Sequence, residues 1–211
     1  MQRLIAIIVT ALGILATTAG AATQDTLSIT ANPSLVVYGK TTVISGTLAP
    51  AKANQNVTVQ AQECGKPNYG KVATVKTTST GAFTATVTPA DNTNYQAKLK
   101  ATVSSAVAVK VKPVVQLVRV ARGSFTAKVT AGTALTNKIV LLQRYSKLKK
   151  RWLGVKKVTL TTATAGTPKP TMVTSAAFKS KVALRVRLRL VFSTAQATPC
   201  YLSAISNVVR A

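Results

Sequence analysis

Arg185, Arg187 and Arg189 occupy alternate positions of KVALRVRLRLVF (residues 181–192), with Val186, Leu188 and Leu190 on the opposite parity. On a β-strand such arginines lie about 6–7 Å apart on one face. That spacing suits successive anionic groups of a polymer, each met by a planar guanidinium fork. A second basic cluster, RYSKLKKRWLGVKK, contains Arg144, Lys147, Lys149, Lys150, Arg151, Lys156 and Lys157. Tyr145 and Trp152 stand among these bases. Aromatic rings interleaved with cations form stacking platforms in single-strand nucleic-acid binders. Rings on a strand also pack against neighbouring side chains, so both readings of this pair stay open. The arginine stripe likewise has a purely structural reading, as the polar face that any half-buried strand presents to water.

The remaining composition narrows the chemistry. The chain has 28 Lys and Arg, three acids (Asp25, Glu63 and Asp91) and no His. Without imidazole, Ser-His-Asp and Cys-His nucleophile systems cannot form. Paired-carboxylate catalysis would require two of three scattered acids. There is no Gly-rich phosphate loop and no zinc-ligand spacing, and the carboxylates are too few for a calcium cage. The expectation is a protein that is not an enzyme and uses no metal or cofactor. Charge is unevenly divided: residues 22–112 hold 9 bases and 3 acids, net +6, while residues 113–211 hold 18 bases and no acid, net +18. This asymmetry predicts association of the second half with polyanions, with affinity that falls steeply with salt.

These residues sit in a β pattern. The chain is 47% hydrophobic but only 5% aromatic, with Val, Thr and Ala supplying the apolar content, as in small β domains with thin cores. From Thr26 onward, short alternating runs are separated by Gly, Pro, Asn and Thr. Seven strand candidates precede Pro113, and the plan then repeats. Val57, Gln60, Tyr69, Val72 and Val75 recur 83 positions later as Val140, Gln143, Trp152, Val155 and Val158. A constant offset across two strands and their turn indicates an internal repeat. The predicted fold is all-β, two tandem antiparallel sandwiches over residues 24–112 and 113–211. Trp152, at the repeat position of Tyr69, is expected to pack. Residues 1–21 open with Arg3, continue through an apolar run and end in Ala19-Gly20-Ala21, which predicts a secretory signal peptide. The competing reading is a retained anchor. With cleavage, the protein is exported, has no stable membrane insertion, and is held at the cell surface by charge alone.

NPSLVVYGKTTVISGTL, VTVQAQECG and GAFTATVTPADNTNYQAKL resemble the tandem Ig-like repeat domains of secreted bacterial, especially actinobacterial, proteins. The resemblance covers most of the first half and, more loosely, the third and fourth strands of the second. It implies Ig-like folds that act as structural or binding modules. Asp91, four residues before Tyr95, resembles the tyrosine corner, in which the phenol ties a loop to the sixth strand. The second half has no equivalent Tyr in FKSKVAL, so its corner must close differently.

Two cysteines in an exported chain suggest a disulfide. In a seven-stranded antiparallel sandwich the odd-numbered strands end at one pole. Cys64 follows the third strand, at the pole where the first domain hands over to the second. Cys200 follows the sixth strand of the second domain, at the pole where that domain begins. Both poles face the junction, so an interdomain Cys64–Cys200 bond is expected; free thiols or an intermolecular bond are the alternatives. The same pole argument places the 147–150 turn at the far tip. The expected function is an exported, non-enzymatic binding or structural protein whose basic second domain associates with an anionic wall polymer or acidic polysaccharide. A spacer or adhesive module with loop-borne protein or glycan contacts is the alternative, and extracellular nucleic-acid binding is the third.

Overall fold

The structure is a computed structural model that describes residues 24–211. The segment read as a signal peptide lies outside the described residues. The first half forms β1 (Thr26–Asn32), β2 (Leu35–Val37), β3 (Thr42–Ala49), β4 (Asn56–Glu63), β5 (Gly70–Lys76), β6 (Ala82–Val87), β7 (Thr93–Leu99), β8 (Thr102–Val103) and β9 (Val107–Lys112). The second forms β10 (Val114–Ala121), β11 (Ser124–Ala131), β12 (Ile139–Ser146), β13 (Arg151–Thr159), β14 (Thr162–Gly166), β15 (Thr171–Lys179) and β16 (Arg187–Phe192). A short helix, α1 (Thr194–Ala197), then precedes β17 (Ala204–Ile205) and β18 (Val209–Arg210).

These strands make four sheets, two in each half. In the first half, β1-β3-β6 faces β2-β9-β7-β4-β5, with β8 beside β7. In the second, β10-β11-β15-β14 faces β13-β12-β16-β17, with β18 also on β16. Among the described residues, no strand pairing crosses residue 113. The period-two alternation explains the two cores. Val57, Val59 and Ala61 of β4 meet Ile44, Leu48 and Phe83; Val140 and Leu142 of β12 and Leu188, Leu190 and Phe192 of β16 meet Leu117, Phe125 and Val129, all buried. Each fully buried aliphatic or Phe side chain contributes about 1.5–3 kcal/mol. Many small contributions therefore replace a few large aromatic ones.

The 83-residue offset is a structural repeat. Val57 pairs with Val75 and Val140 pairs with Val158. Each hairpin then carries a β-bulge at the same place, beside Gln60 and Gln143, with Val72 and Val155 as the extra residues. A bulge turns its extra side chain out of the ladder, and both valines are exposed. One strand is shorter than its pattern predicts. Residues 181–186 precede β16 as an irregular segment with a turn at Leu184-Arg185, and Arg185 adopts φ 65°. Arg185 is thus not on the strand with Arg187 and Arg189; a residue at positive φ breaks the ladder.

The halves are tied at one junction. Cys64 and Cys200 form a disulfide with a Cα–Cα distance of 5.3 Å, closing 136 residues of sequence. Asn92 reinforces it with two bonds across, from its Nδ2 to the Pro199 carbonyl (2.8 Å) and from its backbone N–H to the Cys200 carbonyl (2.9 Å), while within its own half its Oδ1 accepts from Val111 N–H (2.9 Å). Leu202 N–H donates to the Val111 carbonyl at 2.8 Å. Tyr38 Oη donates to the Pro170 carbonyl and lies 3.0 Å from Thr171 Oγ1. Gly132 lies so close to Ala90 that a Cβ would come within 2.8 Å of the Ala90 carbonyl oxygen. A side chain there would push the sandwiches apart.

The corner by β7 is tied through Asp91. Its Oδ1 accepts from Cys64 N–H (3.1 Å) and from Thr93 Oγ1 (3.2 Å), so the carboxylate fastens the loop before β7 to the end of β4. Tyr95 is buried beneath it, and burial pushes its phenol up to about 12 against the opposing effect of Thr93. The equivalent end of the second sandwich closes with backbone alone: Ala211 N–H donates to the Val186 carbonyl (2.9 Å) and Arg185 N–H donates to Ala211 O (3.1 Å).

Candidate anion-binding surface

Strands β12, β13 and β16 lie side by side, and their outward positions gather the residues singled out by type. Gln143 stands opposite Arg189 on β16, and Tyr145 stands opposite Trp152 on β13. The Arg187 guanidinium carbon lies 4.1 Å from the centre of the Tyr145 ring, and that of Arg189 lies 4.2 Å from the centre of Trp152. The two rings meet edge to face at 5.5 Å. Arg189 Nε also donates to Gln143 Oε1 at 2.9 Å. Burial lowers the Arg189 pKa from its ordinary value, yet an arginine remains charged at physiological pH. Each guanidinium is thus laid against a ring, which restricts the conformations lost on binding. The remaining N–H donors of these forks are free to meet phosphate or carboxylate oxygens.

Trp152 does pack, but on the outer face of the sheet against Arg189 and Tyr145 rather than in the core. Its parity on β13, opposite Tyr145, dictates this. Lys157 stands opposite Leu141 on the same outer face and extends the basic surface along β13. Lys156 does not share that face: it stands opposite the buried Leu142, on the inward parity, and its Nζ donates to the Lys179 carbonyl of the other sheet (3.2 Å). On the exposed edge strand β13, Lys156 and Lys157 also discourage pairing with another chain. That explanation does not extend to Arg187 and Arg189, because β16 is flanked by β12 on one side and by β17 and β18 on the other.

The other predicted bases lie at the tip. Lys147, Lys149 and Lys150 form the β12–β13 turn; Arg144 and Arg151 flank it, and Arg185 sits in the turn before β16. Because β12 runs away from the junction and β16 returns towards it, these segments share the pole opposite Cys200. Topology adds bases that the sequence reading left out. Arg122 lies in the β10–β11 turn, Lys179 and Lys181 lie where β15 ends, and Arg210 stands directly opposite Arg187. Their sequence positions are scattered, so no local pattern marks them. The single ion pair among the described residues, Lys52–Asp25, lies in the first sandwich. The acid-free second sandwich has no side-chain carboxylate of its own to answer its cations.

The strand order defines the class. Sheets ordered A-B-E-D and C′-C-F-G, as in the second half, make an immunoglobulin-like β-sandwich, and the first half is the same plan without the D strand. The chain is a tandem pair of Ig-like sandwiches, a type of fold used for binding and for structure. No protein-family model matches the chain, and no curated protein matches it in sequence. Among solved structures, a marsupial T cell receptor covers 88% of this chain and 100% of its own at 9% identity, with a TM-score of 0.33. No helix among the described residues is long and apolar enough to cross a membrane.

Proposed function

We propose that this protein is an exported, non-enzymatic binding module of bacterial type that associates with anionic polymers of the cell surface through its second sandwich. The partner class is a teichoic-acid-type wall polymer or an acidic polysaccharide. The observation that carries the reading is the pair of ring-supported arginines, Arg187 on Tyr145 and Arg189 on Trp152, in a sandwich without acids. A cation needed only for solubility does not require a ring beneath it. Neutralising polymer charge releases counterions, so the affinity depends on salt.

Co-sedimentation with cell-wall sacculi, native or stripped of anionic polymer, tests this across a salt series. Binding should disappear on stripping and weaken steeply with salt. Replacing Arg187 and Arg189 together by Gln should lower the slope of log affinity against log salt by about 2 while leaving the fold intact. Binding that survives stripping and salt would overturn the reading.

A spacer role is favoured by a separate observation. The disulfide, the two bonds of Asn92 to Pro199 and Cys200 and the close approach of Gly132 to Ala90 make the junction stiff. In that role the second sandwich is held at a fixed distance and angle from whatever anchors the first.

A further inference from the structure

The tip of the second sandwich carries more than charge. Three separate segments meet there, and each exposes one large aliphatic side chain among bases. Leu148, 92% exposed, sits in the β12–β13 turn between Lys147 and Lys149, with Lys150 and Arg151 following. Val120, 68% exposed, is the extra residue of a bulge at the end of β10, between Arg119 and Arg122. Leu184, 52% exposed, precedes Arg185 in the turn before β16. None of the three has a place in the core. Leu148 projects from a hairpin tip, Val120 is turned outward by its bulge, and Leu184 lies on the segment that fails to continue β16. Between the β10–β11 turn and residues 179–184 runs a groove of about 520 Å³, lined by Arg122, Ser124, Lys179, Lys181 and Leu184, with Ala211 at one side.

We propose that this tip docks on the surface of an anionic lipid bilayer. Leu148, Leu184 and Val120 enter the headgroup–acyl boundary, and the surrounding Lys and Arg contact lipid phosphates without any segment spanning the membrane. A soluble polyanion engages cations and gains nothing from exposed leucines. A bilayer engages both, because apolar side chains leave water while polybasic segments are drawn to the negative surface. The absence of any acidic residue from 113 to 211 gives the tip charge complementarity to that surface. Exposed aliphatics elsewhere, such as Val37 and Ile205, lie beside the junction instead. This inference goes beyond polymer binding and stands on different side chains.

The test uses the full chain with its disulfide formed and vesicles of phosphatidylcholine with or without phosphatidylglycerol. In Leu148→Trp, emission should shift to the blue and be quenched by lipids brominated on their acyl chains, in the vesicles that contain phosphatidylglycerol. Trp152 in the unaltered chain, lying under Arg189, should respond much less and so supplies the baseline. Leu148→Ser should weaken binding to the anionic vesicles by roughly tenfold at about 0.15 M salt, where the surface charge still draws the tip in. Its binding to a soluble anionic polymer should be unchanged. A side chain this exposed tolerates the exchange without unfolding, which a thermal melt checks. Absence of quenching at position 148, equal quenching in neutral vesicles, or identical vesicle binding by Leu148→Ser and the unaltered chain would each overturn the proposal. The arginine pair on β16 would then still answer to its own wall-binding test.

Discussion

In the first sandwich, the end of β4, the end of β9 and the loop before β7 abut the second sandwich. Cys64, Val111 and Asn92 are all spoken for there, by Cys200, Leu202 and Pro199. Among the described residues, the topologically equivalent pole of the second sandwich has no such cover. Instead of Cys and Asn it presents Lys147, Lys149, Lys150 and Arg185, with aliphatic side chains between bases. The outward faces diverge in parallel. Gln60 accepts from Gln96 Nε2 at 2.9 Å in the first sandwich, where Gln143 accepts from Arg189 Nε at 2.9 Å in the second. Tyr69 stands at the repeat position of Trp152, and Gln62, turned towards the Pro67 carbonyl (2.9 Å), at that of Tyr145. One scaffold therefore carries a weakly cationic, joined unit and a strongly cationic, open one. The shared A-B-E and C′-C-F-G order and the bulge position are held constant while the polar positions vary, because the fold depends on the buried parity and leaves the outward parity free.

Three experiments probe that contrast. The largest effect should come from replacing Cys64 and Cys200 together by Ser. A loop of 136 residues contributes about 4–5 kcal/mol in the chain-entropy model. Its loss should lower the thermal midpoint and separate one calorimetric transition into two, one for each sandwich. A single unshifted transition would show that the hydrogen bonds and packing at the junction suffice. Asn92→Ala should follow, at about 1–3 kcal/mol, because it leaves Val111 N–H without its acceptor at a part-buried site and removes the bond to Pro199. Chemical denaturation measures this. An effect confined to the first sandwich's transition would mean that Asn92 serves its own fold rather than the junction.

The smallest effect concerns Asp91. Burial raises its pKa above 3.8, outweighing the bonds from Cys64 N–H and Thr93. The folded chain therefore takes up this proton before the unfolded chain does. The corresponding stability is fully present below 3.8 and is lost as pH rises through the raised folded value. Relative to Asp91→Asn, the unaltered chain should gain stability as pH is lowered from neutrality towards 3.8, read as a difference in denaturant midpoints. A relative loss over that range would show that the two hydrogen bonds outweigh burial.

Much of the architecture was legible because period-two alternation is a local property. Val107, Val109 and Val111 needed only their neighbours to read as one strand, and Val57 and Val140 needed only the constant offset to read as equivalents. The Cys64–Cys200 pairing was legible one level higher, from counting antiparallel strands to a pole, since each strand reverses direction whatever its exact ends. Arg185 was misplaced because alternation continues through residues 181–186 while the backbone does not; a turn at positive φ there leaves the hydrophobic pattern intact. The role of Asp91 was half visible, its place beside Tyr95 evident but its partner, Cys64 N–H, supplied by a different loop.

The amino-acid sequence by itself determined the β-sandwich class, the repeat, the charge asymmetry and the absence of imidazole chemistry, because these follow from residue type and short-range spacing. Tertiary structure alone decided that Arg187 and Arg189 lie on Tyr145 and Trp152. It alone decided that Lys156 reaches the other sheet, and that Arg122, Lys179, Lys181, Leu184 and Val120 join the 147–150 turn at one tip. Those proximities depend on sheet register and on which loops share a pole, and neither is encoded in any short stretch of chain.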